Sequence, residues 1–168
     1  MPATPADTPN TTRQSERKLE RDARQAGNNQ LARADRNFFE EAAKSGMKEV
    51  EVSNAVKARL MNPQVKAFAD TMVADHTAAN SELQALAAKK GVVLPVERKD
   101  FASKWADNDH NLDKDYVKAM EDDHEEAVKL FEKASKSEDA DISAFARKTL
   151  PKLQEHLTHV RTLKQALK

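Results

Sequence analysis

The sequence predicts an all-α fold: a four-helix bundle of two helical hairpins joined by a long crossover, with an N-terminal helical arm. Three observations predict it. The composition is that of helices, rich in Ala, Lys, Glu and Asp, with three glycines and 5% aromatics in 168 residues. Four long segments carry apolar residues in alternating steps of four and three, the seam of a helix packed among helices. Two short breaks and one long one separate those segments, which pairs them as hairpins around a crossover.

Taken in order, residues 1–12 are Pro, Thr and Asn with almost nothing to bury, and a disordered segment is expected there. Residues 13–27 hold strong helix formers and alternating charge, but Leu19 is their one large apolar residue, so a solvated arm is expected. Gly27-Asn28-Asn29 breaks it, and the bundle domain is placed at 31–168, after a segment of 1–30. The first long helix is expected from Leu31 to Met61, with the seam Phe39, Ala42, Gly46, Glu49, Ser53, Val56, Leu60. A neighbouring seam through Ala43 and Val50 also fits. Asn62 is a good N-cap and Pro63 suits the first helical position, so a second helix starts there and runs to Lys90, where Gly91 supplies a left-handed stop. Its seam is Val65, Ala69, Met72, His76, Ala79, Leu83, Leu86.

Residues 92–110 form the long connection, in which Phe101 and Trp105 are expected to pack down from a short helical piece. The third helix, Leu112 to Lys136, has the seam Val117, Met120, His124, Ala127, Phe131, Ala134. The fourth, Ala140 to Leu167, has Ile142, Ala146, Thr149, Leu153, His156, Val160, Leu163, Leu167. Pro151 lies inside it and predicts a kink.

Three histidines and one glutamate therefore stand where core residues are expected. In an antiparallel hairpin, residues equally far from the turn share a depth. Glu49 and His76 are equidistant from the turn at Asn62-Pro63, and His124 and His156 from Ala140. At about 1.5 Å rise per residue, an error of two residues moves depth by only about 3 Å. Both layers fall midway along their hairpins and are expected to coincide. Imidazole and carboxylate are ligands for Zn, Fe, Mn or Cu, so Glu49, His76, His124 and His156 are candidate metal ligands. Glu121 joins them because Glu121-x-x-His124 has the spacing of carboxylate-bridged di-iron bundles. Val73 and Leu153 stand three before the other two histidines, so the full di-iron signature is absent. A buried Glu/His layer that only fixes helix register fits the same residues. Asp75, Asp123 and Glu155 each precede a seam histidine, and a rotation of about 100° aims them at a neighbouring helix or at solvent. Weaker candidates are a surface chelate at His156 and His159, and Cu(I) held by the thioethers of Met47, Met72 and Met120.

Several classes are excluded. Lys+Arg and Asp+Glu number 28 each, so the net charge is zero and neither nucleic acid nor an anionic membrane is indicated as partner. The absence of cysteine excludes disulfides and thiolate metal sites. No apolar run reaches the ~18–20 residues of a transmembrane segment, and residues 1–12 have no apolar core of a signal peptide. There is no nucleophile elbow, glycine-rich phosphate loop or zinc-protease motif, so no enzyme class is indicated.

The helices resemble the DUF4142 family. The resemblance rests on Phe38-Phe39 with Ala42-Ala43, Gly46-Met-Lys-Glu49-Val50, Val65-Lys-Ala-Phe-Ala69, Met72-Val-Ala-Asp-His76, Asn80 with Leu83, Tyr116 followed by His124, and Leu150-Pro151 followed by His156-Leu157. It covers about Asp35 to Leu167. It implies a ferritin-like architecture and a bacterial, exported, periplasmic protein of undefined activity, with recurring polar positions at Glu49, His76, His124 and His156. Two functions are carried forward: a metal-binding bundle of the bacterial envelope that stores, buffers or senses a transition metal, and a non-enzymatic structural or stress-related envelope protein.

Overall fold

The computed structural model describes residues 13–21, 31–94 and 100–168. The expectations for residues 1–12 and for the break at Gly27-Asn28-Asn29 lie outside them. Among the described residues there are five α-helices, one short 3-10 turn and no strand. Helix α1 covers residues 13–21, all of them exposed, and falls in a unit of its own, Met1–Ala32. The second unit, Arg33–Lys168, holds α2 (Arg33–Val56), α3 (Pro63–Lys89), α4 (Leu112–Ala134) and α5 (Ala140–Ala166). Helix α2 packs on α3 and α4 on α5, and the two pairs join through α2 on α4 and α3 on α5.

Which seam each helix buries is set by the period of its apolar residues. On α2 the seam Phe39, Ala42, Gly46, Glu49, Ser53, Val56 is buried throughout, and Val50 is only half-buried. The rival seam through Ala43 and Val50 therefore loses. All six seam residues of α4 are buried. On α3 the stripe drifts at its C-terminal end, where Ala87 is buried in place of Leu86. The drift is the 3.6-residue period overtaking a 3.5-residue template. One cluster, including Val56, Phe68, Met72, Tyr116, Met120 and Val160, fills the core at the Asn62 end. Phe38, Phe131 and Phe145 stack edge to face at the other end. Of the three methionines that are candidates for Cu(I), Met72 and Met120 are fully buried in the core and Met47 is half-buried.

The helix ends follow local chemistry. The Asn62 side chain accepts from Gln64 N (2.9 Å) and Val65 N (3.3 Å), and Pro63 takes the first helical position. Asp139 caps α5 in the same way, accepting from Asp141 N and Ile142 N. Gly91, at φ 69, turns the chain out of α3. Helix α2 ends at Val56, five residues before the expected Met61. The reason is tertiary: the N–H groups of Met61 and Asn62 are taken by the Asp113 carboxylate in the first turn of α4, at 3.0 and 2.7 Å. Helix α5 runs on through Pro151.

The crossover is pinned to the helices at both rings. Ser103–Trp105 form the short turn, Trp105 is buried against Tyr116, and Phe101 packs on the core. The Arg59 guanidinium at the end of α2 donates to the carbonyl of Trp105 at 2.5 Å and to Asp109 at 3.3 Å. Beneath the tryptophan, Ser53 Oγ and Tyr116 Oη share a buried hydrogen bond of 2.6 Å between α2 and α4.

Each partner of that bond leaves the other unsatisfied when it is removed. Tyr116→Phe and Ser53→Ala are each expected to lower unfolding stability by about 1–2 kcal/mol, and the double variant by less than their sum. Urea unfolding of the four proteins checks this; strict additivity would mean that the two hydroxyls do not interact.

Candidate metal centre

Halfway along the four long helices the apolar core is interrupted. His76 on α3, His124 on α4 and His156 on α5 are 7%, 1% and 4% exposed, and Glu49 on α2 is 2% exposed. The two hairpin layers coincide as the depth count expects: the ring centroids of the three histidines lie 5.4 to 5.6 Å apart. One nitrogen from each ring lies within 4.8 Å of the others, close enough for the three to hold one metal ion.

The partners of each ring fix where its protons are. His124 Nδ1 is 2.7 Å from the carbonyl oxygen of Met120, one turn back on its own helix. A carbonyl only accepts, so Nδ1 carries the proton and Nε2 of the neutral ring is a lone pair. His156 Nε2 donates to Asp75 Oδ2 at 2.8 Å, which leaves Nδ1 as its lone pair. That Nδ1 is buried without any hydrogen-bond partner. His76 Nε2 stands 3.4 Å from His124 Nε2. In metal sites a ligating histidine usually gives its other N–H to a carbonyl or carboxylate. Two of the three rings already have that arrangement.

Burial decides the charge. It pushes the His76 pKa down to about 3, helped by the neighbouring His124 and His156 rings. It pushes His124 down to about 4 against the opposing pull of the Met120 carbonyl, and it lowers His156 against the pull of Asp75. All three are neutral at pH 7, the state in which imidazole is a ligand. Glu49 moves the other way. Burial, and then the negative charge of Asp123, hold its carboxyl well above the usual range.

The structure brings the three histidines together and leaves the two glutamates outside the triad. Glu49 Oε1 lies 3.9 Å from His124 Nδ1, on the side of the ring already turned to the Met120 carbonyl. Glu121 is held at the edge of α4 by Lys164 (2.6 Å) and Arg161 (3.4 Å) of α5. It stands three residues from His124, a rotation of about 300°, and so points along the α4–α5 seam. The surface pair also separates: His156 turns to Asp75, and exposed His159 packs edge-on against Phe68 at 5.2 Å. Asp75 is the hydrogen-bond partner of the triad that the sequence analysis did not count among the candidate ligands. Its signal was its place beside His76, rotated towards the adjacent helix, which proves to be α5. Asp123 takes the matching place against α2, paired with Lys48 at 2.8 Å.

The family model described as Domain of unknown function (DUF4142) matches residues 20–163, and the chain belongs to that family. Neither a curated protein nor a solved structure matches it. No helix among the described residues is long and apolar enough to cross a membrane.

The shifts set the pH dependence of the metal-free protein. A histidine with a lowered folded pKa binds its proton more readily when unfolded. Its stabilisation is complete above the unfolded value of about 6.5 and falls as pH drops from there towards about 3 to 4. Glu49 has the opposite sign, because its raised pKa keeps a proton in the folded state that the unfolded chain releases above about 4.5. With chelator present, the melting temperature of Glu49→Gln should be level above pH 7 and decline from pH 6.5 to pH 5. The parent protein should decline less steeply over that range, since the Glu49 proton opposes the histidines. A level profile of the variant from pH 6.5 to pH 5 would exclude neutral buried histidines.

Proposed function

We propose that this member of the DUF4142 family is a metal-binding protein, a ferritin-like four-helix bundle that holds one divalent transition-metal ion between His76, His124 and His156. The observation that carries it is the cluster itself: one nitrogen of each of three buried histidines lies within 4.8 Å of the others, and His156 Nδ1 is buried with no hydrogen-bond partner. An orphaned buried acceptor costs about 1–3 kcal/mol, and a cation among the rings removes that cost. Distance supports the same conclusion. Two nitrogens bound to one tetrahedral metal at ~2.0–2.1 Å lie about 3.4 Å apart, and His76 Nε2 and His124 Nε2 are 3.4 Å apart. Three neutral imidazoles suit zinc, copper or iron better than manganese, which favours oxygen donors. Asp75 supplies the negative charge behind His156, and Glu49, held as a neutral acid beside His124, is an outer partner in this scheme. We place the protein in the bacterial envelope, where it would store, buffer or sense the ion; that location comes from the family resemblance.

One observation favours a second function, a structural envelope protein whose polar layer fixes helix register. At 3.4 Å, His76 and His124 satisfy one another by a hydrogen bond if His76 Nε2 carries a proton.

Metal analysis of protein purified without a polyhistidine tag separates the two. About one equivalent of metal is expected in the parent protein. His76→Ala, His124→Ala and His156→Ala should each lose most of it. His110→Ala, exposed at the start of α4, and Glu121→Gln should keep it. Unchanged metal in the triad variants, or a metal-free parent that takes up none from added zinc, would leave the structural layer as the explanation.

A further inference from the structure

Metal sites with four protein ligands are closed, and sites with three keep a position for water or an added ligand. Among the described residues no fourth protein donor joins the triad. The Asp75 carboxylate is bonded to His156 Nε2, and Glu49 lies by Nδ1 of His124, the nitrogen turned away from His76.

Beside the triad is a cavity of about 40 Å³, lined by His76 and His156 and walled by Ala42, Gly46, Ala79 and Leu83. A single water needs about 10–15 Å³ on such a measure, so there is room for a ligand of two or three heavy atoms and not for an organic acid or an aromatic. Small side chains on both facing helices keep this space open. At Gly46 the fit is so close that a Cβ would collide with the Asn80 side-chain oxygen. Exposed Lys152, half-buried Asn80 and the Asp75 carboxylate also line the cavity, so it reaches solvent at a polar rim. The unpartnered Nδ1 belongs to a histidine of the cavity wall.

We propose that a metal held by His76, His124 and His156 keeps one coordination position open towards this cavity, where it takes water or a small inorganic anion in exchange. The proposal rests on the metal-binding function above. It adds that the site is an exchangeable ligand-binding centre and not a closed structural one. The apolar walls strengthen the bond between that small ligand and the metal by excluding bulk water.

The test uses the full chain loaded with cobalt(II), whose visible bands report coordination. Failure to take up cobalt, with no bands that depend on His124, would fail the metal site itself; a loaded site that is closed to added ligands would fail only the open position. In the loaded protein, azide should change the bands saturably, and benzoate at the same concentrations should not. Ala79→Leu fills the cavity from its outer wall. It should keep the cobalt stoichiometry and weaken azide binding at least tenfold. Cobalt bands that ignore azide would overturn the proposal, as would an equal response to benzoate. An unchanged azide affinity in Ala79→Leu would do the same. The size comparison is made on the parent protein, so it decides the matter even if the leucine variant does not fold.

Discussion

Three imidazoles meeting in the middle of an apolar core is the constraint on which the rest of the molecule depends. Each ring must be neutral, because a charged one is too costly away from water, and each must find partners for two nitrogens. The helices meet those demands from outside the triad. The Met120 carbonyl serves His124 and Asp75 serves His156, one from the same helix and one from across the interface. The result is a triad in which the proton positions of two rings are fixed in advance. A set of histidines with free rotation would have to lose that freedom when an ion arrives.

The carboxyl groups around the triad differ in charge because their surroundings differ. Asp75 is about one-third exposed and accepts a hydrogen bond from His156. Glu49 is buried beside the Lys48–Asp123 ion pair, and burial, then the negative charge of Asp123, favours its protonated form. Glu121 is committed to two cations of α5. Three acids lie within a few residues of the site in sequence or space, and they have three different roles: oriented acceptor, neutral acid and surface tie between helices.

The ends of the molecule hold the middle in register. Asp113 binds the backbone where α2 gives way to α3, and Arg59 binds the crossover backbone beside it. At the other end Lys90 reaches Asp139 and Asp141, both at 2.8 Å, and so ties the end of α3 to the start of α5. A slip of one residue would move a helix by about 1.5 Å and turn it by about 100°. Either change would take a histidine out of the triad. The polar ties that stop each helix are therefore also what keeps the three rings at one depth.

The four long helices, most of each seam that they bury, the caps at Asn62 and Gly91, and the common depth of His76, His124 and His156 were legible in the chain before it folds. These are properties of period and of distance from a turn, which a single segment carries with it. The choice of carboxylates was not legible there. Glu49 lay on the right seam at the right depth, yet its neighbour is the nitrogen of His124 that already faces a carbonyl. Glu121 had the spacing of a ligand, yet two cations of another helix hold it. Asp75 lay off the seam, aimed at a neighbouring helix or at solvent, and it reaches a histidine 81 residues away. Each outcome depends on which helix stands beside which, and on the direction in which a ring is turned. Helical periodicity says which side of its own axis a residue occupies, and it carries no information about what the neighbouring axis presents there.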